Sequence, residues 1–126
     1  MRFMMLVKSA ENSGPPPKEL MEAIWKNGEN AAKAGLMIDS GGLKPSAMSA
    51  RVQLRGGKVT AVDGPFSEAK EVVGGFAIFE FKSMREAVES AKDMELRRRY
   101  WPGWQGETEV RPMFDKDDFL AGKHDT

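Results

Sequence analysis

The densest run of chemistry-bearing side chains is Asp63-Gly-Pro-Phe-Ser-Glu-Ala-Lys-Glu71, with Gly74-Gly75 just behind it. It sets three carboxylates and one amine within a single loop. Carboxylates held near one another titrate at separated pH values, which equips one to accept a proton and another to give one. In that reading Asp63 or Glu68 is the general base, Glu71 is the third carboxylate, and Lys70 holds a substrate carboxylate or polarises a carbonyl. The same residues also admit an architectural reading. Aspartate before Gly-Pro bonds nearby backbone N–H groups, Ser67 caps a one-turn helix, and Glu68 suits that helix's positive end. Lys70 and Glu71 are then simply solvated.

Four further residues can bind rather than react. Arg51 and Arg111 sit within extended segments, where a guanidinium can grip an anionic ligand. Trp101 and Trp104 can wall a pocket, or cover a core edge or a subunit contact. Composition removes other chemistries. The absence of cysteine excludes disulfides, thiolate metal sites and a Cys nucleophile. The one histidine, His124, lies in a polar tail, which leaves no basis for a histidine metal site or a Ser-His-Asp triad. The reading therefore requires no metal and no cofactor. Lys plus Arg and Asp plus Glu both total 19, a balance that argues against nucleic acid as a partner. The apolar run Phe3–Val7 is too short for a signal core or a membrane span, so a cytoplasmic location is expected.

These residues must be positioned by elements, and 126 residues suffice for one domain with a real core. Phe3 to Val7 is apolar at every position and predicts a central strand. After the turn at 12–17, Leu20, Met21, Ile24, Trp25, Ala31 and Ala32 form a helical stripe that ends at Gly35. A short strand begins at Leu36 and is broken by Gly41-Gly42. Ser49–Arg55 alternates, Gly56-Gly57 turns, and Lys58–Val62 returns as a hairpin. Phe76–Phe81 is another strand. Ser83-Met-Arg-Glu86 is a capping box that starts a second helix carrying Met84, Ala87, Val88, Ala91 and Met94. Residues 97–106 read as irregular, and Thr108–Phe114 as a last strand whose Pro112 favours a sheet edge.

That order predicts an α+β, ferredoxin-like βαββαβ domain with an inserted hairpin, its helices on one sheet face. Phe3, Met5, Val7, Phe76 and Ile78 leave too few polar positions for a wet opposite face. Exposing such side chains costs roughly 1.5–3 kcal/mol each. A homodimer packed sheet to sheet is the simplest cover.

The string Val62-Asp-Gly-Pro-Phe-Ser-Glu-Ala-Lys-Glu71, then Gly74-Gly75-Phe76, Ser83…Glu86-Ala87 and Glu109-Val-Arg-Pro-Met113, closely resembles the DGPF-domain branch of the YCII-related proteins. Met4–Val7 and Gly42-Leu-Lys-Pro45 resemble it too. The resemblance implies one domain over 1–114, a polar tail over 115–126, and a dimeric α/β barrel of ferredoxin-like protomers. Members of the branch are largely uncharacterised, and many are encoded near sigma-factor genes. A His–Asp pair proposed for the better-known branch has no counterpart here, because neither the first helix nor its adjoining strand holds a histidine. The segment Leu96–Gly106 and the tail both look longer than is usual in the branch. Two functions follow as expectations: a small-molecule enzyme using metal-free carboxylate acid/base chemistry, or a non-catalytic module that binds a metabolite or a protein. A second copy of the chain and a small anionic ligand are the expected partners, the ligand chiefly for the enzyme.

Overall fold

The computed structural model describes residues 1–11, 14–66 and 68–120. In chain order the elements are β1 (Arg2–Ser9), α1 (Lys18–Lys33), β2 (Met37–Gly42), β3 (Ala50–Arg55), β4 (Lys58–Asp63), β5 (Val72–Glu80), α2 (Met84–Ala91), α3 (Glu95–Tyr100), β6 (Gly106–Pro112) and α4 (Lys116–Leu120). Among the described residues, 3-10 turns run over Ser46–Met48 before β3 and Lys92–Met94 between α2 and α3. Four strands form an antiparallel sheet in the order β2-β5-β1-β6, and β3 with β4 forms a separate two-stranded sheet. Strand order and helix connections are consistent with a ferredoxin-like α+β fold carrying an inserted hairpin.

Local sequence explains the element ends. Gly35 adopts φ 74°, its N–H donates to Ala32 O, and the Leu36 N–H donates to Ala31 O, the paired bonds of a Schellman stop. Ser83 Oγ accepts the Glu86 N–H at 3.2 Å, while Glu86 Oε2 accepts the Lys82 N–H at 3.0 Å. This is a capping box displaced by one residue on its return bond. β1 is central, and Pro112 lies on the edge strand β6, where a missing N–H costs least.

The core lies between the sheet and the helices: Phe3, Met5, Phe79, Phe81 and Ala87 cluster there, with Ala31, Met37, Ala77, Ala91 and Val110 packed against them. Directly paired residues share a face, and Phe3 pairs with Phe79, Met5 with Ala77. The expected assignment of sheet faces therefore needs correction. Phe3, Met5 and Val7 point toward the helices, whereas the open face carries Met4 and Leu6 opposite Ile78 and Phe76. The five-residue apolar run offers no alternation from which to read direction, and shifting by one residue exchanges the faces. All four open-face side chains are half-buried.

Three other expectations change. Gly41-Gly42 does not break the strand: Gly41 pairs with Phe76 and leaves room for its ring, since a Cβ there would stand 2.8 Å from Phe76 Cε1. Residues 97–106 are not wholly irregular, because α3 continues the second helical segment through Tyr100. Its start is held by the Glu95–Arg98 ion pair, and Arg97, Arg98 and Arg99 occupy its negative end. The tail opens with α4, where Asp115 and Asp118 exchange backbone-to-carboxylate bonds of 2.8 and 2.9 Å. Residues 121–126, including His124, lie outside the described residues.

Candidate functional site

The loop that joins β4 to β5 is built against the 3-10 turn Ser46–Met48. Gly64 lies directly on that turn. A Cβ there would fall 1.8 Å from the Ser46 carbonyl oxygen, so no other residue fits without moving backbone. The Gly64 N–H donates to Ser49 O at 2.8 Å, and the following Gly64–Pro65 peptide is cis. The Phe66 N–H donates to Ser46 Oγ at 3.2 Å. Ser46 is 7% exposed, a buried polar residue, and its own two donors are taken by one carboxylate. Glu11 Oε2 accepts the Ser46 N–H at 2.8 Å and Glu11 Oε1 accepts its hydroxyl. These two bonds, the hydroxyl first, hold the Glu11 carboxyl below the usual range against a smaller desolvation cost.

Above this base stands Arg51 of β3. The hairpin register puts Arg51 opposite Val62 and Gln53 opposite Thr60, both on the face that carries Arg55 and Lys58. The Arg51 guanidinium lies 3.8 Å from the centroid of the Phe66 ring, and its Nη1 pairs with Glu68 Oε1. Glu68's own backbone N–H, and then Arg51, keep the Glu68 carboxyl below its ordinary value. Arg51, Phe66 and Glu68 thus form one stack: ring below, cation above its centre, carboxylate at one corner.

The expected site residues divide accordingly. Arg51 and Glu68 are brought together. Asp63, the last residue of β4, is exposed, and its carboxylate has no hydrogen-bond partner among the described residues. The backbone bonding expected of it is absent there, and the Gly64 and Phe66 amides bond to the Ser46–Ser49 segment instead. The turn after Phe66 is closed by the Ala69 N–H on Phe66 O at 3.1 Å; Ser67, the expected cap of a one-turn helix here, lies outside the described residues. Lys70 and Glu71 are exposed, and Glu71 borders a shallow depression with Ala10, Gln105, Gly106 and Glu107.

Arg111 belongs elsewhere. It sits on the open sheet face opposite Met4 and pairs with Glu109 at 2.7 Å, which also binds Lys8. Ser9, where β1 meets the start of β5, is five strand positions from Met4, about 17 Å along the sheet. Trp101 and Trp104 stack at 6.0 Å, and Arg97 lies 5.4 Å from the Trp104 ring. A Cβ on Gly106 would reach Trp104 at 2.5 Å, which shows the indole packed onto the start of β6.

Glu11 and Ser46 escaped the sequence reading. They are 35 residues apart, each between the elements that the sequence marks, so no spacing links them. The one available signal is an acid in the loop after a central strand, which is weak.

Two comparisons with known proteins bear on identity. The family model described as the YCII-related domain matches residues 1–114. An uncharacterized protein of Rhizobium meliloti (strain 1021) is 32% identical over 93 residues, covering 74% of this chain and 69% of that protein. By that match, which runs from β1 through β6 and takes in the whole Gly64–Glu68 assembly, the chain belongs to the YCII-related domain family.

Proposed function

We propose that this chain is a homodimeric member of the DGPF branch that binds a small anionic ligand at Arg51. One observation carries the reading. The Arg51 guanidinium carbon lies 3.8 Å from the centroid of the Phe66 ring, and among the described residues Glu68 engages it through Nη1. A guanidinium has five N–H donors in one plane, so most of its edge is left for a carboxylate or phosphate. The ring contact restrains the guanidinium, which lowers the ordering cost of a two-point contact. Glu68 serves as the counter-ion that the ligand displaces. Its depressed titration makes it a weak proton acceptor near neutral pH, which favours binding over general-base catalysis.

Carboxylate acid/base turnover is the second reading. It rests on Asp63, whose carboxylate has no hydrogen-bond partner among the described residues and sits at the base of the same hairpin, with Lys70 and Glu71 further along the loop. Two surfaces support the dimer. The open sheet face presents Met4, Leu6, Phe76 and Ile78, and the hairpin exposes Val52, Leu54 and Val59.

The test is a titration of the isotope-labelled protein with benzoate, succinate and inorganic phosphate, observed at the Arg51 side-chain N–H and the Phe66 and Glu68 amides. At least one anion is expected to shift these signals saturably, and Arg51→Gln to abolish the shift while Arg111→Gln leaves it intact. Shifts that follow Arg111, or none for any anion, overturn the assignment. Conversion of a bound anion that stops in Asp63→Asn would move the protein to the catalytic reading.

A further inference from the structure

We infer that Glu11 is a positioning residue for the Arg51 stack, acting through the Ser46 hydroxyl on the backbone of Phe66. The inference deepens the binding site proposed above, but it concerns the unliganded protein and is tested there.

Three loops distant in sequence meet at Ser46. Its N–H and O–H both donate to Glu11, one to each carboxylate oxygen. A serine hydroxyl is otherwise a free rotor that donates or accepts as its surroundings allow. Here the carboxylate takes the proton, so the oxygen lone pairs are left for the Phe66 N–H at 3.2 Å. Phe66 is then fixed at its N–H by Ser46 and at its carbonyl by Ala69, and its ring carries the Arg51 guanidinium at 3.8 Å. Two donors on Ser46 require two acceptor oxygens on residue 11. A glutamate supplies both; a glutamine of the same shape supplies one, and turns an NH2 toward the other donor. The hydroxyl must then rotate, and the amide claims one lone pair of the oxygen that Phe66 uses, which weakens that bond.

Glu11→Gln is therefore a probe of nearly constant volume. In the full chain it is expected to speed hydrogen exchange of the Phe66 amide about tenfold, the scale of one modest hydrogen bond. It is also expected to reduce the upfield ring-current shift of the Arg51 side-chain N–H. Amides of Met5 and Phe79 in the core should keep their exchange rates. Ser46→Ala, which removes the relay atom, should give the same pattern at Phe66. Phe66 and Arg51 signals unchanged from wild type in Glu11→Gln overturn the inference.

A purely structural Glu11 would not make Phe66 report its charge, so a second measurement decides even if the variants fail to fold. Titratable groups at the cluster are Glu11, Glu68 across Arg51, and Asp63 and Lys70 on flanking positions. In Glu68→Gln protein the Phe66 amide shift is expected to follow the Glu11 carboxyl resonance through its acid inflection. An inflection lost with Glu68, or one that tracks Asp63, overturns the relay. Because no ligand is used, failure of anion binding leaves this result standing, and the converse also holds.

Discussion

The four-stranded sheet and the two-stranded hairpin are built from the same kinds of residue, yet they differ in what covers them. In β1, Phe3 is 0% exposed beneath the helices. In the hairpin, Val52 is 72%, Leu54 65% and Val59 70% exposed. The register sets Val52 against Ala61 and Leu54 against Val59, which makes one hairpin face apolar. A lone two-stranded hairpin is marginal in water. Gly56 and Gly57, at φ 56° and 77°, supply the turn, but a turn does not hold an arm in place. Its base does: Gly64 and Phe66 bond to the Ser46–Ser49 segment, and Arg51 closes onto Phe66 and Glu68. Hydrophobic burial holds the sheet, and polar bonding at a narrow base holds the hairpin.

That contrast breaks in order of expected effect. Phe3→Ala should cost about 4 kcal/mol in denaturant unfolding, because it empties a packed site between sheet and helices. Gly64→Ala should cost about 3 kcal/mol and raise hydrogen exchange in β3 and β4 above that in β1, because a methyl group cannot coexist with the Ser46 carbonyl. If Gly64→Ala unfolds at wild-type denaturant, the narrow-base account is wrong. Replacing both Val52 and Leu54 by Ser should leave protomer unfolding within about 0.5 kcal/mol. The same pair should weaken self-association in sedimentation if the hairpin face is covered by a second copy.

The smallest effect is one of pH. Glu11 and Glu68 both titrate lower in the folded chain than the ordinary 4.5. The unfolded chain thus takes up their protons first as pH falls. Their stabilisation is complete above pH 4.5 and is lost as pH drops through the folded values. A plot of unfolding midpoint against pH should flatten in that window for the Glu11→Gln, Glu68→Gln double variant. An unchanged slope would show that neither bond stabilises the fold.

Much of the sheet is legible in the sequence because local signals agree. The apolar run of β1, the glycine at 35, the Ser83 cap and Pro112 each have a short-range cause. The face of β1 was not legible, since Phe3 to Val7 gives no polar position to break the tie. Glycines at 41 and 42 misled, because glycine in a strand can mark a neighbour's ring as readily as an end. At the site, Arg51 and Glu68 each stood out singly as charged residues, while their pairing depends on where a hairpin folds back. Arg111 shares residue type with Arg51 and not position. The Glu11–Ser46 bonds depend entirely on tertiary placement.

Gly64 carries a last consequence, for engineering. Because it rests on the Ser46 carbonyl with no space for a methyl, loop and turn are cut to each other as key to lock. A graft of residues 63–71 onto another scaffold would carry the charges and lose their arrangement. The transplantable unit is discontinuous: Glu11, the Pro45–Ser49 turn, the hairpin and the loop must travel together.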